Sequence, residues 1–314
     1  MGPRSRNLCD VIVIGGGIAG LTAAVQAARR GLSVSLIERE VAFGGQVSTV
    51  NVLHDWPAVN ITSGVELAAA LANEARDLGM HIVVESANAM TTNADHVDIE
   101  TNTGSHCGRR ILLATGARLK SLGVAGEDAL RGKGVSQCAH CDGNFFRNEA
   151  VVVVGGGDAA LQETLVLAKV CRSVTIVTRR ALRARRAYVD RAAALDHVAF
   201  LWDSQVTAIL GRQSVTGVRV QTVGDAAPIE IDCTGVFPFV GVTPNSDFAS
   251  KTIALDDNGR VKTDGDYRTT VPSIFAVGAV RSGYRGDLVS AVGEAASAMA
   301  VIASEVGSRG AAGG

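Results

Sequence analysis

Val11-Ile12-Val13-Ile14 runs directly into Gly15-Gly16-Gly17-Ile18-Ala19-Gly20. Four apolar residues ending in a glycine turn predict a short buried strand, and the Ala-rich stretch through Arg30 predicts a helix that Gly31 stops. Ser33 to Ile37 predicts a second strand, closing at Glu38. The order strand, G-x-G-x-x-G turn, helix, strand is the setting in which that glycine spacing carries meaning. Gly15, Gly17 and Gly20 let the backbone approach a pyrophosphate. The helix start, around Ala19, supplies N–H groups and positive potential.

The same order recurs. Val151-Val152-Val153-Val154 leads into Gly155-Gly156-Gly157-Asp158-Ala159-Ala160, a helix through about Val170 and a strand over Ser173 to Val177. The two copies align without a gap, residue 15 on 155 and residue 38 on 178. Two fingerprints in register predict an α/β chain with two Rossmann-like dinucleotide-binding domains. Ile111 to Ala117, with Thr115-Gly116 in its turn, and Ser273 to Gly278 predict two further strands that run into glycine turns.

Composition sets outer limits. The 314 residues suggest about two domains. Thirty Lys plus Arg against 31 Asp plus Glu give a net charge of -1, which excludes a strongly basic nucleic-acid binder. Six cysteines are too few for a disulfide-framework scaffold of this length. No run of eighteen apolar residues occurs, so no membrane span is expected. Arg4 and Arg6 precede Asp10 and the Gly15–Gly17 run, which interrupt the apolar core that a secretion signal needs. The expected location is a reducing cytoplasm, where paired cysteines are more often catalytic than structural.

The copies differ where nucleotide choice is made. Glu38 can accept hydrogen bonds from ribose hydroxyls, which suits FAD or NAD. The second copy reads Thr178-Arg179-Arg180, with Arg183, Arg185 and Arg186 close behind. Guanidinium forks suit a 2′-phosphate, so the second site is expected to prefer NADPH over NADH.

Cys138-Ala139-His140-Cys141 is the only CxxC in the chain. Two thiols so spaced can close a small disulfide ring, and Asp142 stands next to them as a proton carrier. A zinc site needs more ligands, and no second CxxC or nearby Cys/His pair supplies them, so no metal is expected. Cys9, Cys107, Cys171 and Cys233 are isolated and read as inert thiols.

With these pieces in order, the chain resembles the low-molecular-weight thioredoxin reductases across nearly its whole length. The resemblance rests on Gly15 to Gly20, Gly44-Gly45-Gln46, Trp56-Pro57, Ala114 to Ala117, Cys138 to Gly143, Gly155 to Ala160 and Thr178 to Arg180. Phe239 to Asn245 and Val261 to Asp264 extend it. It implies an FAD domain over residues 1–118 and 247–314. An NADPH domain over residues 119–246 is inserted between them. It also implies a homodimer, a two-stranded hinge and rotation of the NADPH domain. Gly45, Gln46, Thr115, Gly116, Gly278 and Ala279 join the FAD site by position. Cys141 takes the place against the flavin, Cys138 attacks the substrate disulfide, and Asp142 is the acid–base partner. Phe145 and Phe146, with Arg131 and Lys133, resemble the family's docking patch for a thioredoxin-like protein.

The chain also departs from that pattern. The family's Gly-Asp after the last FAD strand is Gly278-Ala279, so a carboxylate that binds a ribityl hydroxyl is lost, with Asp287 as a possible substitute from the next loop. The usual Arg-Gln before the last helix is Gly286-Asp287. His140 replaces a small residue inside CxxC, and an imidazolium there is expected to stabilise a thiolate and make the disulfide more oxidising.

The expected function is an NADPH-dependent flavoprotein disulfide reductase, with a thioredoxin-like protein as substrate. The alternative is a flavin-dependent oxidase that closes a disulfide in a small-molecule dithiol and passes electrons to oxygen. A non-catalytic redox-sensing or nucleotide-binding regulator is a third reading, suggested only by Ala279.

Overall fold

The computed structural model describes residues 8–50, 53, 56, 63–224 and 227–310. Arg4, Arg6, His54 and Pro57 lie outside them. The first repeat is β1 (Leu8–Ile14), α1 (Ile18–Arg29) and β2 (Val34–Glu38). There follow α2 (Gly64–Asp77), β3 (His81–Val84), β4 (Ala87–Thr92), β5 (Val97–Thr101), β6 (Ser105–Leu113) and β7 (Ala117–Leu119). The redox turn α3 (Ala139–Asp142) precedes the second repeat, β8 (Ala150–Val154), α4 (Asp158–Leu167) and β9 (Ser173–Val177). Then come α5 (Arg186–Ala193), β10 (Val198–Leu201), β11 (Ser204–Gly211), β12 (Val215–Thr222), β13 (Ile229–Asp232) and β14 (Gly235–Pro238). The chain ends with β15 (Val242–Pro244), β16 (Ile274–Ala276) and α6 (Leu288–Gly310).

Contacts divide the chain into two compact units, Met1–Arg118 with Thr243–Gly314, and Leu119–Val242. The chain leaves the first unit through β7 and re-enters it through β15. The return falls at residues 242 and 243 rather than 246 and 247. The reason is local: Asn245 is already bonded to Thr115 and Gly116 of the first unit.

In the first unit the described sheet runs β3-β2-β1-β6-β5-β4, with β16 also on β6. β1 pairs in parallel with both β2 and β6. On the edge of β6 away from β1, Ser105–Gly108 pair antiparallel with β5, and Ile111–Leu113 pair parallel with β16. Strand β1 is buried on both faces, as a central parallel strand must be. Val11 and Val13 pack with α1 and α6, while Ile12 and Ile14 pack with Ile99, Ile111 and Ile274. Each such side chain contributes roughly 1.5–3 kcal/mol of gross burial energy, which fixes the strand ends and hence the glycine turn.

Helix α6 is long and apolar enough over Leu288–Gly307 to cross a membrane by length and composition alone. Its Ala291, Ala295, Ala298, Met299 and Ile302 are instead buried in the core shared with α1, and Glu294 is buried within it. That is the use of a core helix.

The second unit carries the parallel sheet β10-β9-β8-β14 and a separate antiparallel sheet β11-β12-β13. Val151 and Val153 pack toward α4 and α5, and Val152 and Val154 toward Val206, Val218 and Val220. Helix α4 stops at Leu167, short of the Val170 expected from the pattern.

Candidate active site

In the first unit Gly15–Gly17 make the whole turn between β1 and α1. Gly15 has φ +109°, and a Cβ there would lie 2.4 Å from the Ala114 carbonyl oxygen. A Cβ on Gly20 would lie 1.8 Å from the Gly15 carbonyl oxygen. Both glycines are required by close packing. Gly17 differs: its φ is -71°, and a Cβ would meet only the Gly44 carbonyl oxygen, at 3.9 Å. No side chain caps α1, so the N–H groups of its first turn, including Ala19, lack a side-chain acceptor. Room beside an uncapped helix start is the geometry a pyrophosphate uses.

Glu38 closes β2 beside this turn. Its carboxylate accepts the Gly16 N–H on one oxygen and the Glu40 N–H, at 2.9 Å, on the other. Each oxygen keeps a lone pair for a further donor. Gly44 donates its N–H to the Gly16 carbonyl at 2.8 Å, and Gly45 lies close to Gly17. The exposed Gln46 donates its amide to the Ala117 carbonyl. The Thr115 hydroxyl donates to the Asn245 carbonyl at 2.7 Å, and Gly116 adopts φ +65° with open space where a Cβ would stand. Asn245 was missed as a site residue, although it closes the Phe239 to Asn245 stretch on which the resemblance rests.

Gly278, at φ +71°, donates its N–H to the buried Glu294 carboxylate at 2.8 Å. Arg281 grips the same carboxylate at 3.0 and 3.1 Å. Ala279 follows, partly buried, with no polar side-chain atom. Asp287 sits at the start of α6, where one of its oxygens accepts the Ser290 N–H at 2.7 Å. The helix start needs that acceptor, which is why the carboxylate turns there. Burial and the nearby Asp287 and Glu294 push the Tyr284 hydroxyl up to about 12, so it stays a donor, to the Asp287 carbonyl.

The second unit repeats the arrangement. Gly155, at φ +143°, would put a Cβ 2.3 Å from the Phe239 carbonyl oxygen, whereas Gly157 has open space. No side chain caps α4. Asp158 and Ala159 begin this helix. The Asp158 carboxylate is tied to Arg185, by its N–H and its Nε, each at 2.7 Å. Arg186 reaches Asp190 at 3.4 Å. Arg179, Arg180 and Arg183 are exposed, and among the described residues none has an acidic partner. Of the five arginines in this stretch, these three are the ones left for an anion.

Cys138 and Cys141 form a disulfide, with Cα atoms 5.3 Å apart. Cys138 is partly buried and Cys141 exposed. The Cys141 N–H donates to Cys138 Sγ at 3.1 Å, so a thiolate at Cys138 has a donor already in place. The Ser136 hydroxyl accepts the Cys138 N–H at 3.1 Å, and the Asp142 N–H donates to the Cys138 carbonyl. The Glu163 carboxylate, from α4, accepts the Ala139 N–H at 2.7 Å. Nothing in the local sequence marks Glu163, which lies a helix away.

Burial, and then the charge of Lys169, push His140 below its ordinary value in this disulfide form, which disfavours an imidazolium there. One expectation about this stretch needs correction. Phe145 is 82% exposed, but Phe146 is core, edge-on to Phe237 with ring centres 5.3 Å apart. Arg131 is paired with Asp128 at 3.0 Å. Burial raises the Cys171 thiol to about 11 and the Cys233 thiol to about 12, which keeps both unreactive. Cys9 is only partly buried.

The pyridine nucleotide-disulphide oxidoreductase family profile matches residues 9–300. The chain is 36% identical to a thioredoxin reductase of Treponema pallidum over 299 residues, covering 95% of this chain and 97% of that one. It is 38% identical to a thioredoxin reductase of Mycolicibacterium smegmatis, covering 91% and 90%. A crystal structure of Lactococcus lactis thioredoxin reductase superposes with a TM-score of 0.91 at 35% identity, over 95% of this chain and 99% of that one. The chain belongs to the pyridine nucleotide-disulphide oxidoreductases and, among them, to the low-molecular-weight thioredoxin reductases.

Proposed function

We propose that Cys138 and Cys141 are the redox pair of this NADPH-dependent disulfide reductase, and that its substrate is a thioredoxin-like protein. FAD and NADPH are the cofactors of the family. When bound they supply the hydride and electron-pair chemistry. The chain's own residues position, ionise and exchange thiols.

In this reading the first unit holds FAD at Gly15, Gly17, Ala19, Gly20 and Glu38, with Gly45, Gln46, Thr115, Gly116, Gly278 and Ala279 around it. The second holds NADPH at Gly155, Gly157, Asp158 and Ala159, and its 2′-phosphate at Arg179, Arg180 and Arg183. Two electrons open the Cys138–Cys141 bond. The Cys138 thiolate attacks the partner's disulfide and forms a mixed disulfide. Cys141 then attacks Cys138 Sγ, restores the intramolecular bond and releases the partner as a dithiol. Asp142 carries the proton to the leaving thiolate. Phe145 offers the partner an exposed apolar contact. A homodimer and a reducing cytoplasm complete the proposal.

The observation that carries it is the Cys138–Cys141 disulfide in the same unit as three arginines without acidic partners. A dithiol oxidase that passes electrons to oxygen has no use for those arginines, and that alternative is not favoured. The test is an anaerobic titration of the FAD-loaded protein. NADPH is expected to bleach the flavin far more readily than NADH, and added oxidised thioredoxin to restore it. Retained thioredoxin turnover in Cys138→Ser or Cys141→Ser would overturn the assignment.

A further inference from the structure

We infer that Glu163 is a positioning residue for the redox turn: its carboxylate holds the Ala139 N–H and so keeps Cys138 and Cys141 in disulfide-closing register. The inference rests on the assignment of these cysteines as the redox pair.

The geometry is specific. Ala139 is the residue between Cys138 and His140, and it is 2% exposed. Its side chain packs in the core cluster with Leu161 and Leu167 of α4. Its N–H points to Glu163 Oε2 at 2.7 Å. The turn is therefore fastened to α4 twice, by an apolar contact and by a charged acceptor. That fastening fixes Cys138 against the Cys141 N–H that its sulfur accepts. A four-residue helix has too few internal bonds to hold this register alone.

The carboxylate is also costly where it stands. Among the described residues no Lys or Arg pairs with Glu163. Burial pushes it above its ordinary value, and the Ala139 N–H is what pulls it back. A carboxylate without a cation is a poor stabilising device. Here it serves as an acceptor placed under a turn that must open and close. The other titratable groups about the turn are His140 and Asp142 on the turn itself and Lys169 facing His140. They are the same in the variants below.

The experiment equilibrates wild type, Glu163→Ala and Glu163→Gln with FAD bound in glutathione redox buffers. The Cys138–Cys141 disulfide is then read by thiol trapping and peptide mass. Opening turns the protein's S–S bond into two thiols while two glutathione thiols become one glutathione disulfide, and closing reverses this, so the equilibrium reports closure. Glu163→Ala is expected to close roughly tenfold less readily, the size of one hydrogen bond to a charged acceptor. Glu163→Gln, whose amide oxygen accepts the same N–H, is expected to return most of that loss. The pH midpoint of Cys138 alkylation in the reduced protein is expected to rise in Glu163→Ala, as the Cys141 N–H drifts off the sulfur, and to return in Glu163→Gln. FAD content and the melting temperature control for folding. An alanine variant that matches wild type in both readouts overturns the inference, and so does a glutamine variant as impaired as alanine. A wild-type protein that closes no disulfide in any buffer overturns the redox-pair assignment itself, which is a separable result.

Discussion

Thr115 and Asn245 are bonded to each other twice. The Thr115 hydroxyl donates to the Asn245 carbonyl at 2.7 Å, and the Asn245 amide donates to the Thr115 carbonyl at 2.8 Å. The Asn245 N–H also reaches the Gly116 carbonyl at 3.0 Å. The turn after β6 is thus clamped by a residue 130 positions away, just after the chain re-enters the first unit. Asn245→Ala leaves the partly buried Thr115 carbonyl without its side-chain donor. The expected cost is about 1–3 kcal/mol of stability, with weakened FAD retention. Thermal melting with and without added FAD measures both, and an unchanged melting temperature would refute the clamp.

What the sequence made legible was periodic or local. The two strand–turn–helix repeats read correctly because each occupies one continuous stretch whose pattern its own residues carry. The place of Glu38 at the end of β2 and the pairing of Cys138 with Cys141 were legible for the same reason. Asn245, Glu163 and Glu294 were not, because each acts on a backbone group far along the chain: Thr115, Ala139 and Gly278. Charged partners were also hidden. Five arginines follow β9 in a run that reads as uniform, yet Asp158 and Asp190 claim Arg185 and Arg186. Phe145 and Phe146 are neighbours of one type, and only the placement of Phe237 decides which is core.

Ala279 leaves the turn after β16 without a side-chain acceptor, and Asp287 is engaged at the start of α6. Ala279→Asp is therefore expected to tighten FAD binding, by roughly five- to hundredfold for one recovered hydrogen bond. Fluorescence titration of the apoprotein with FAD reads the change. Equal affinity in both proteins would show that the turn does not face the cofactor.

Arg179, Arg180 and Arg183 are exposed and without acidic partners, so their removal disturbs no internal ion pair. Replacing any one by Gln is expected to raise KM for NADPH about tenfold and leave KM for NADH nearly unchanged. Arg185→Gln is expected to behave differently, because it breaks the side-chain bond to Asp158 at the start of α4 and so weakens both nucleotides alike. Steady-state kinetics with both nucleotides separates the two classes. A parallel loss with NADH at Arg179 would count against phosphate recognition.

His140 acts only where it is charged. In the disulfide form, burial first and Lys169 second depress its pKa below the ordinary 6.5, which favours the neutral ring at pH 7.5. Charge on His140 favours a thiolate and so makes the dithiol easier to form. Wild type and His140→Thr are expected to share one dithiol potential at pH 7.5. Toward pH 5 the wild-type potential is expected to become the less negative of the two. Redox titrations at both values test this, and a gap already full at pH 7.5 would mean an imidazolium after all.

The glycines of the first fingerprint divide by what surrounds them. Gly20 has no room: a Cβ would stand 1.8 Å from the Gly15 carbonyl oxygen, backbone that cannot yield without moving α1 off the sheet. Gly20→Ala is expected to fail as a folded protein. Gly17 has room, and its φ of -71° is open to any residue. Gly17→Ala is expected to fold with an apoprotein melting temperature close to that of wild type, since the new methyl meets only the Gly44 carbonyl oxygen, at an ordinary contact distance of 3.9 Å. It is expected to lose FAD, because in the proposed site that methyl stands where the pyrophosphate would approach the uncapped start of α1. Gly157→Ala, equally unobstructed, is expected to keep FAD and lose NADPH. Melting curves of the apoproteins and the flavin content of the purified variants decide the point. A Gly17→Ala protein that retains its flavin would place the cofactor elsewhere on the unit.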